Sequence, residues 1–175
     1  MEFQFILDND IVRSSKSRCA NPLHLVNKKV GTFRSCGDYR RLNAQTVPDQ
    51  YPIPRIEDFH YILKDECIFS KLDLVKAYYQ IPIAEEDREK TAVTTPFVLY
   101  EFNVMSFGLR NAPSTFQLFI TEMLFGFYFV FPYLDYVLVA SSSEEKQKEN
   151  LKMVFDRFQQ YGLRINISKS VTGTD

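Results

Sequence analysis

Cysteine and histidine are scarce in this sequence, and each shortage excludes a class of structure. The 175 residues contain three cysteines and two histidines. Cys19, Cys36 and Cys67 are odd in number and widely spaced, which excludes a disulfide framework and a zinc module and favours a reducing compartment. Neither His24 nor His60 has neighbours that would support catalysis, and we interpret both as structural residues.

Long apolar runs are also missing. The longest, from Met123 to Pro132, is interrupted by Gly126 and falls well short of the ~20 residues that span a bilayer. The first ten residues lack the basic and apolar regions of a secretory signal. These absences lead us to expect a soluble intracellular protein that is not secreted and does not bind a membrane.

The chain as a whole has almost no net charge, but one segment has an excess of positive charge. Lys and Arg number 21 against 22 Asp and Glu, which excludes a nucleic-acid binder that relies on its total charge. Residues 13–41, however, hold eight basic residues and one acidic residue, Asp38, a local charge of +7. This excess predicts a polyanionic partner, although a solvated basic surface would give the same pattern.

The remaining composition is that of a folded globular chain, with 45% hydrophobic and 25% charged residues. Apolar patterns predict strands at residues 23–26, 32–36, 67–74, 91–95, 98–102, 129–131, 137–140 and 163–167. Helices are predicted to follow the prolines at 48–54, to start at Asn111-Ala112-Pro113, and to run from a capping box at Ser142 and Glu145 to Gly162. The pattern favours an α+β sheet with helices on one face.

Two carboxylates interrupt apolar strands. Asp73 lies between Leu72 and Leu74, and Asp135 precedes the apolar residues 137–139. A carboxylate in such a place needs a cation, hydrogen bonds or exposure. Both residues could simply end strands at the surface. They could also meet on neighbouring strands and hold divalent cations, because Mg²⁺ prefers carboxylate oxygens.

Six segments around these residues occur in a recognisable order. They are CGDYRRLN (36–43), YPIPRIED (51–58), FSKLDLVKAYYQIPI (69–83), KTAVTTPFVLYEFNVMSFGLRNAPSTFQ (90–117), YLDYVLVASSS (133–143) and YGLRIN (161–166). Together they resemble the reverse transcriptase domain of LTR retrotransposons of the gypsy class, over roughly residues 11–171.

The resemblance implies the fold of a right-hand polymerase. Residues 11–47 and 80–110 would form the fingers, and residues 48–79 and 111–175 the palm, with an antiparallel palm sheet backed by helices. The thumb would be absent, so that residues 1–175 are a partial domain. A full-length element would add thumb, ribonuclease H and integrase. The chain would then be one piece of a Pol polyprotein or the remains of a decayed element, cytoplasmic or particle-associated.

The resemblance also implies roles for particular residues. Asp73 and Asp135 would be the catalytic, metal-binding aspartates for two Mg²⁺ ions, or Mn²⁺ in their place. The nucleotide-binding set would be Lys28, Arg34, Lys76, Ala77, Tyr78, Phe107 and Gly108. In this set Lys28 and Arg34 would grip the triphosphate, and the ring of Tyr78 would exclude a 2′-hydroxyl. Lys169 would be a proton donor to the leaving pyrophosphate. Without the resemblance, Tyr78 would be interpreted as a core residue.

The sequence departs from the family pattern at the second carboxylate motif. The family has Tyr-x-Asp-Asp where this chain has Tyr133-Leu134-Asp135-Tyr136, so that Tyr136 takes the place of a metal ligand. A phenol is neutral at pH 7 and bulky. In addition, Ser106 replaces a usual proline. We therefore expect an RNA-directed DNA polymerase that is impaired in this copy.

Three functions remain open at this stage. The first is a polymerase domain that uses a primed RNA or DNA template and deoxynucleoside triphosphates. The second is a catalytically inactive nucleic-acid-binding or vestigial domain, whose binding would be salt-sensitive and independent of magnesium. The third is an RNA-recognition sheet, since Phe and Tyr number 16 and 10, although many of these rings have the spacing of core residues.

Overall fold

The computed structural model describes residues 2–27, 33–59 and 63–174. Its strands are β1 Val12–Ser14, β2 Asn21–Asn27, β3 Phe33–Gly37, β4 Ile68–Asp73, β5 Val93–Thr94, β6 Leu99–Phe102, β7 Val130–Tyr133, β8 Tyr136–Ser141 and β9 Val171–Thr174. Its α-helices are α1 Glu2–Asp8, α2 Arg40–Gln45, α3 Glu85–Arg88, α4 Ala112–Met123 and α5 Glu144–Tyr161. Short 3₁₀ turns occupy Ile56–Phe59, Ala77–Gln80, Glu89–Thr91 and Ile167–Lys169. The mixture of strands and helices confirms the predicted α+β class.

The chain divides into two compact units, each made of two segments. The first unit contains Met1–Asp49 and Tyr78–Ala112, and the second contains Gln50–Ala77 and Pro113–Asp175. Each unit has its own sheet, as expected where two groups of strands bury separate apolar faces.

The first unit has a five-stranded sheet in the order β1-β6-β5-β2-β3. β2 and β3, at the predicted strands 23–26 and 32–36, form an antiparallel hairpin, and residues 28–32 between them lie outside the described residues. β5 and β6, at the predicted strands 91–95 and 98–102, are also antiparallel, whereas β2 and β5 are parallel. The core beneath the sheet is built from the buried residues Ile6, Ile11, Val12, Tyr39, Tyr79, Val93 and Phe102.

The second unit has a four-stranded antiparallel sheet in the order β7-β8-β4-β9. Alternate residues of a strand point to opposite faces, and β4 shows this clearly. Ser70 and Leu72 are buried, whereas Lys71 is exposed and Asp73 is half-buried. One face of the sheet is therefore covered, and the other is open and carries Asp73.

Three helix boundaries test what local sequence signals can predict. The N-cap of α5 is Ser143, whose Oγ accepts the N–H of Lys146, so the prediction of Ser142 is wrong by one residue. Its C-cap is Gly162 at a φ of 71°, as predicted, because glycine adopts this left-handed conformation without a steric penalty. α4 begins at Ala112, again as predicted.

The strand predicted at residues 163–167 is wrong. Ile165 makes a single bridge to Leu74, and the N–H of Asn166 donates to the carbonyl of Asp73 at 2.7 Å, after which the chain turns. The strand next to β4 is instead β9, four residues later. The sequence pattern also missed α1 and β1, which contribute Ile6 and Val12 to the core of the first unit.

The cysteine side chains are not bonded to one another. The three cysteines, all of them described, form no disulfide with one another, and Cys19 and Cys67 are exposed. Among the residues that the structure describes, no helix combines the length and the apolar character required to cross a membrane.

Candidate active site

Asp73 ends the central strand β4 and is fixed by backbone hydrogen bonds on both sides. It lies directly opposite Tyr136 of β8. Its N–H donates to Oγ of Ser170 at 3.0 Å, and its carbonyl accepts the N–H of Asn166 at 2.7 Å. The strand predicted around Asp73 is thus confirmed, and the half-buried carboxyl group sits on a strongly restrained backbone.

Asp135 lies in the two-residue turn between β7 and β8. The ladder closes at the pair Tyr133–Tyr136, so that Leu134 and Asp135 form the turn, and Leu134 has a φ of 50°. Asp135 is exposed, and its carbonyl accepts the N–H of Leu74 at 2.8 Å. The structure therefore brings the turn of Asp135 against the end of the strand that carries Asp73.

Burial and the charges around Asp73 change the pKa of its carboxyl group. Burial is the largest cause of a raised pKa at Asp73, and the negative charge of Asp135 raises this pKa further. The ammonium groups of Lys169 and Lys71 act in the opposite direction and lower it. The negative charge of Asp135 therefore reaches the carboxyl group of Asp73.

Tyr136 lies directly opposite Asp73, on the neighbouring strand β8. Residues directly opposite in an antiparallel pair share a face of the sheet, so the Tyr136 side chain is on the face of Asp73. Its ring lies 5.3 Å from the ring of Tyr133, and Nζ of Lys71 is 4.5 Å from its centroid. Burial, Tyr133 and Asp135 raise the pKa of the phenol, which keeps it neutral.

Asp73 and Asp135 belong to no larger metal-binding group in the described part of the chain. Within residues 2–27, 33–59 and 63–174, no group of three or more His, Cys, Asp or Glu side chains has an arrangement that could hold a metal ion. The predicted Lys169 is exposed in the 3₁₀ turn Ile167–Lys169, and its charge reaches Asp73. The second unit therefore groups Asp73, Asp135, Tyr136 and Lys169.

The first unit contains an aromatic cluster at the predicted nucleotide residues. The rings of Tyr78 and Phe107 are 5.1 Å apart, and those of Tyr79 and Phe107 are 5.3 Å apart. Tyr79 is buried, whereas Tyr78 and Phe107 are half-buried. Tyr78 is thus a partly exposed member of an aromatic cluster, next to a true core tyrosine.

Gly108 permits a close backbone approach in the same unit. It has a φ of 94°, and a Cβ atom there would lie 3.2 Å from the carbonyl oxygen of Gly37. Its own carbonyl accepts a 2.8 Å hydrogen bond from Nδ2 of Asn43, whose Oδ1 accepts the N–H of Arg110. Sequence reasoning missed Asn43, although it lies within the CGDYRRLN segment.

Four other predicted residues are less informative. Lys28 lies outside the described residues, and Arg34 belongs to β3, where it is paired with Val26. Lys76 has a φ of 45°, and the neighbouring Ala77 is buried. These two residues belong to the second unit.

The basic segment at residues 13–41 is partly neutralised by acids from elsewhere in the chain. Arg13 donates to Glu101 at 2.7 Å and to Glu85 at 2.6 Å. With Lys16 and Arg18 it lines an open cavity of about 710 Å³ that also contains four glutamates. The guanidinium of Arg40 holds the pKa of Asp38 well below its usual range. The segment's isolated charge of +7 therefore overstates the positive charge of the folded surface.

Comparisons with known proteins relate the chain to one family. The family model described as reverse transcriptase (RNA-dependent DNA polymerase) matches residues 26–174. The Transposon Tf2-3 and Tf2-7 polyproteins of Schizosaccharomyces pombe are each 36% identical to the chain over 165 residues, 93% of its length. The chain spans 12% of the length of these polyproteins.

Solved structures give the same fold at lower identity. A foamy viral protease-reverse transcriptase in complex with double-stranded DNA has a TM-score of 0.90 and 20% identity, covering 95% of this chain and 30% of that one. A foamy viral protease-reverse transcriptase in complex with an RNA/DNA hybrid has a TM-score of 0.86 and 19% identity, covering 97% and 23%.

Proposed function

The chain belongs to the reverse transcriptase family, as a reverse transcriptase domain of the retrotransposon polyprotein type, and from this membership we propose its function. It would supply the fingers and palm of an RNA-directed DNA polymerase. The first unit would be the fingers and the second unit the palm. The observation that carries the proposal is that the turn of Asp135 is hydrogen-bonded to the end of β4, the strand that carries Asp73 on the open face of the sheet.

The carboxylates of Asp73 and Asp135 would hold the divalent cations. Carboxylate oxygens are the ligands that Mg²⁺ prefers, and the effect of the Asp135 charge on the pKa of Asp73 supports a shared ion. We propose two Mg²⁺ ions, replaceable by Mn²⁺. Bound ions would lower the pKa of the attacking hydroxyl and neutralise charge on the phosphates.

The proposed reaction adds a deoxynucleotide to a primer on an RNA or DNA template. The primer 3′-hydroxyl oxygen forms a bond to the α-phosphorus, the bond from that phosphorus to the β-phosphate oxygen breaks, and pyrophosphate leaves. The hydroxyl would lose its proton to solvent water, and Lys169 would donate one to the leaving group. The exposed ammonium of Lys169, whose charge lowers the pKa of Asp73, supports this role.

The remaining predicted residues would bind the nucleotide. Lys28 and Arg34 would contact the triphosphate. The partly exposed ring of Tyr78, fixed by its contact with Phe107, would be the surface that rejects a 2′-hydroxyl. The other members of this proposed set are Lys76, Ala77 and Gly108.

We further propose that Tyr136 impairs this copy. Positioning and electrostatics supply most of the catalysis in phosphoryl transfer. The neutral Tyr136 phenol offers no anionic oxygen beside Asp73, and its ring holds the Lys71 ammonium on the face that a cation would use. Both effects weaken the binding of a divalent ion.

The proposed partners follow from the reaction. They are a primed RNA or DNA template, deoxynucleoside triphosphates, and further Pol domains in a polyprotein. The printed descriptions of two neighbours, one with double-stranded DNA and one with an RNA/DNA hybrid, support the first partner. We propose an intracellular location, cytoplasmic or in a particle, because the chain forms no disulfide among its cysteines.

A second candidate function is nucleic-acid binding without catalysis. Tyr136 favours it, because its place directly opposite Asp73 leaves two carboxylates where three would meet. Such a domain would bind nucleic acid in a salt-dependent, magnesium-independent manner. A polymerase domain would instead bind deoxynucleoside triphosphates in a metal-dependent manner.

Primer extension on a polyribonucleotide template, with Mg²⁺ and then Mn²⁺, tests the proposal. We expect Tyr136→Asp to raise the extension rate by about 100-fold or more, the effect of one electrostatic group in a site of this kind. Tyr136→Asn is the matched control, because it has the size of Asp without the charge. Asp73→Asn in the Tyr136→Asp protein should abolish extension.

Each result separates the two functions. Restoration by Tyr136→Asp alone would support a polymerase fold disabled at one ligand. Full activity in the unmodified chain would contradict the proposed impairment. If no variant extends the primer and the chain binds nucleic acid without magnesium, the second function is favoured.

A further inference from the structure

Gln117 is a completely buried polar residue of the second unit whose side-chain amide is bonded at both ends. It lies on α4, with none of its surface exposed. Its Oε1 accepts the N–H of Leu134 at 2.9 Å, and its Nε2 donates to the carbonyl of Pro132 at 3.0 Å. A longer bond of 3.3 Å joins Nε2 to Oγ1 of Thr121. The amide thus connects α4 to the turn between β7 and β8.

Both backbone groups lie where β7 ends and the turn that carries Asp135 begins. The ladder between β7 and β8 closes at Tyr133–Tyr136, so that the N–H of Leu134 is beyond its end. Oε1 of Gln117 accepts this N–H, which lies outside the β7–β8 ladder. The Pro132 carbonyl, one residue before the closing pair, is bonded by the other end of the same amide. Gln117 therefore spans the start of the turn.

The turn requires such support because of its backbone conformation. Leu134 has a φ of 50°, a region in which a side chain is strained and which persists only where the surroundings hold it. On the β4 side, the N–H of Leu74 donates to the carbonyl of Asp135 at 2.8 Å. The turn is held by β4 on one side and by the Gln117 side chain on the other.

Few side chains could replace Gln117 in this role. The turn presents a donor, the Leu134 N–H, and an acceptor, the Pro132 carbonyl, and a side-chain amide offers one group of each kind. An ionised carboxylate could accept but not donate. An apolar side chain would leave two half-buried backbone groups without these partners.

We propose that Gln117 is a positioning residue that holds the Leu134–Asp135 turn, and with it the Asp135 carboxylate, beside Asp73. The inference rests on the proposed function of these two carboxylates as cation ligands. Gln117 touches neither a cation nor a nucleotide in this role and acts through the turn.

The test compares two matched substitutions in the 175-residue chain and in its Tyr136→Asp form. Gln117→Met removes both hydrogen bonds to the turn and keeps a similar volume. Gln147→Met is the control, because Gln147 is 3% exposed and donates to Oγ of Ser70 at 2.7 Å and to the Val139 carbonyl at 3.3 Å, away from the turn. Gln117→Glu retains an acceptor for the Leu134 N–H and provides a second variant if Gln117→Met does not fold.

Two measurements separate a positioning role from a general structural one. Amide hydrogen exchange by NMR follows the Leu134 N–H directly. We expect exchange about tenfold faster in Gln117→Met, close to the parent rate in Gln117→Glu, and unchanged in Gln147→Met. Titration with Mn²⁺ alone, followed by its EPR signal, should show a Kd about tenfold higher in Gln117→Met only.

The outcomes separate the positioning role of Gln117 from the proposed cation binding by Asp73 and Asp135. Unchanged exchange at Leu134 in Gln117→Met, or faster exchange with an unchanged Kd for Mn²⁺, would overturn the positioning role. An equal rise of Kd in Gln147→Met would also overturn it. If no form binds Mn²⁺, including Tyr136→Asp, the proposed function fails, and the exchange rate alone decides whether Gln117 holds the turn.

Discussion

The two carboxylates of the candidate site are supported in different ways. Asp73 is part of a central strand, and its backbone is bonded to neighbouring segments whatever its own side chain is. Asp135 lies on an exposed two-residue turn that depends on the buried Gln117 and on a strained Leu134. One ligand position is therefore a property of the sheet, and the other is a property of a few side chains. Substitutions should affect the two positions unequally.

The largest expected effect comes from breaking the sheet beneath Asp73. Leu72 is 1% exposed, and Leu72→Ala should lower the free energy of unfolding by about 2–5 kcal/mol through lost burial and a residual cavity. Leu138→Ala is the control, because Leu138 is half-buried on the open face of the same sheet. Urea unfolding followed by circular dichroism measures both. Equal losses of unfolding free energy in the two variants would show that the covered face of the sheet contributes no more to stability than the open face.

A smaller effect should come from relieving the turn that carries Asp135. At the φ of 50° found for Leu134, glycine is less strained than any residue with a Cβ atom. Leu134→Gly should therefore be more stable than Leu134→Ala by about 0.5–1 kcal/mol, the reverse of the usual order. The same urea experiment compares the two variants. A more stable alanine variant would indicate that the turn is not strained.

The smallest expected effect is the pH dependence that arises from Asp73. Its pKa is raised by burial and by Asp135, so the folded state binds this proton more tightly than the unfolded state. The contribution of Asp73 to stability is therefore greatest below its unfolded pKa and is lost as the pH rises through the raised, folded value. Asp73→Asn should remove this fall in stability.

An NMR titration of the metal-free chain sharpens this prediction. The pKa of Asp73 should decrease in Asp135→Asn, because a neighbouring negative charge is removed. An unchanged pKa in that variant would place the two carboxylates too far apart to share a cation.

Much of the fold was predictable because the relevant signals are local. Alternating and helical apolar patterns predicted β4, the strand-turn-strand of β7 and β8, and the helix that ends at Gly162. The prediction of a strand at residues 163–167 was wrong, because the pairing of these residues depends on β4 and not on their own apolar pattern. α1 was missed because seven residues without clear periodicity carry little signal.

The supporting residues of the candidate site were not predictable in the same way. Asn43 and Gln117 act through hydrogen bonds to backbone groups that are distant in sequence, and no periodicity marks such residues. The charge of the basic segment was overstated for the same reason. The acids that neutralise Arg13 are Glu85 and Glu101, which tertiary folding brings to it.

The placement of Tyr136 also has a genetic consequence. Tyr136 begins β8, its backbone pairs with Asp73, and its ring rests against Tyr133 and beneath the ammonium of Lys71, so the fold tolerates tyrosine at this position. Tyrosine and aspartate codons differ only in their first base. A single nucleotide change would therefore place a third carboxylate opposite Asp73, in a strand register that already exists to receive it.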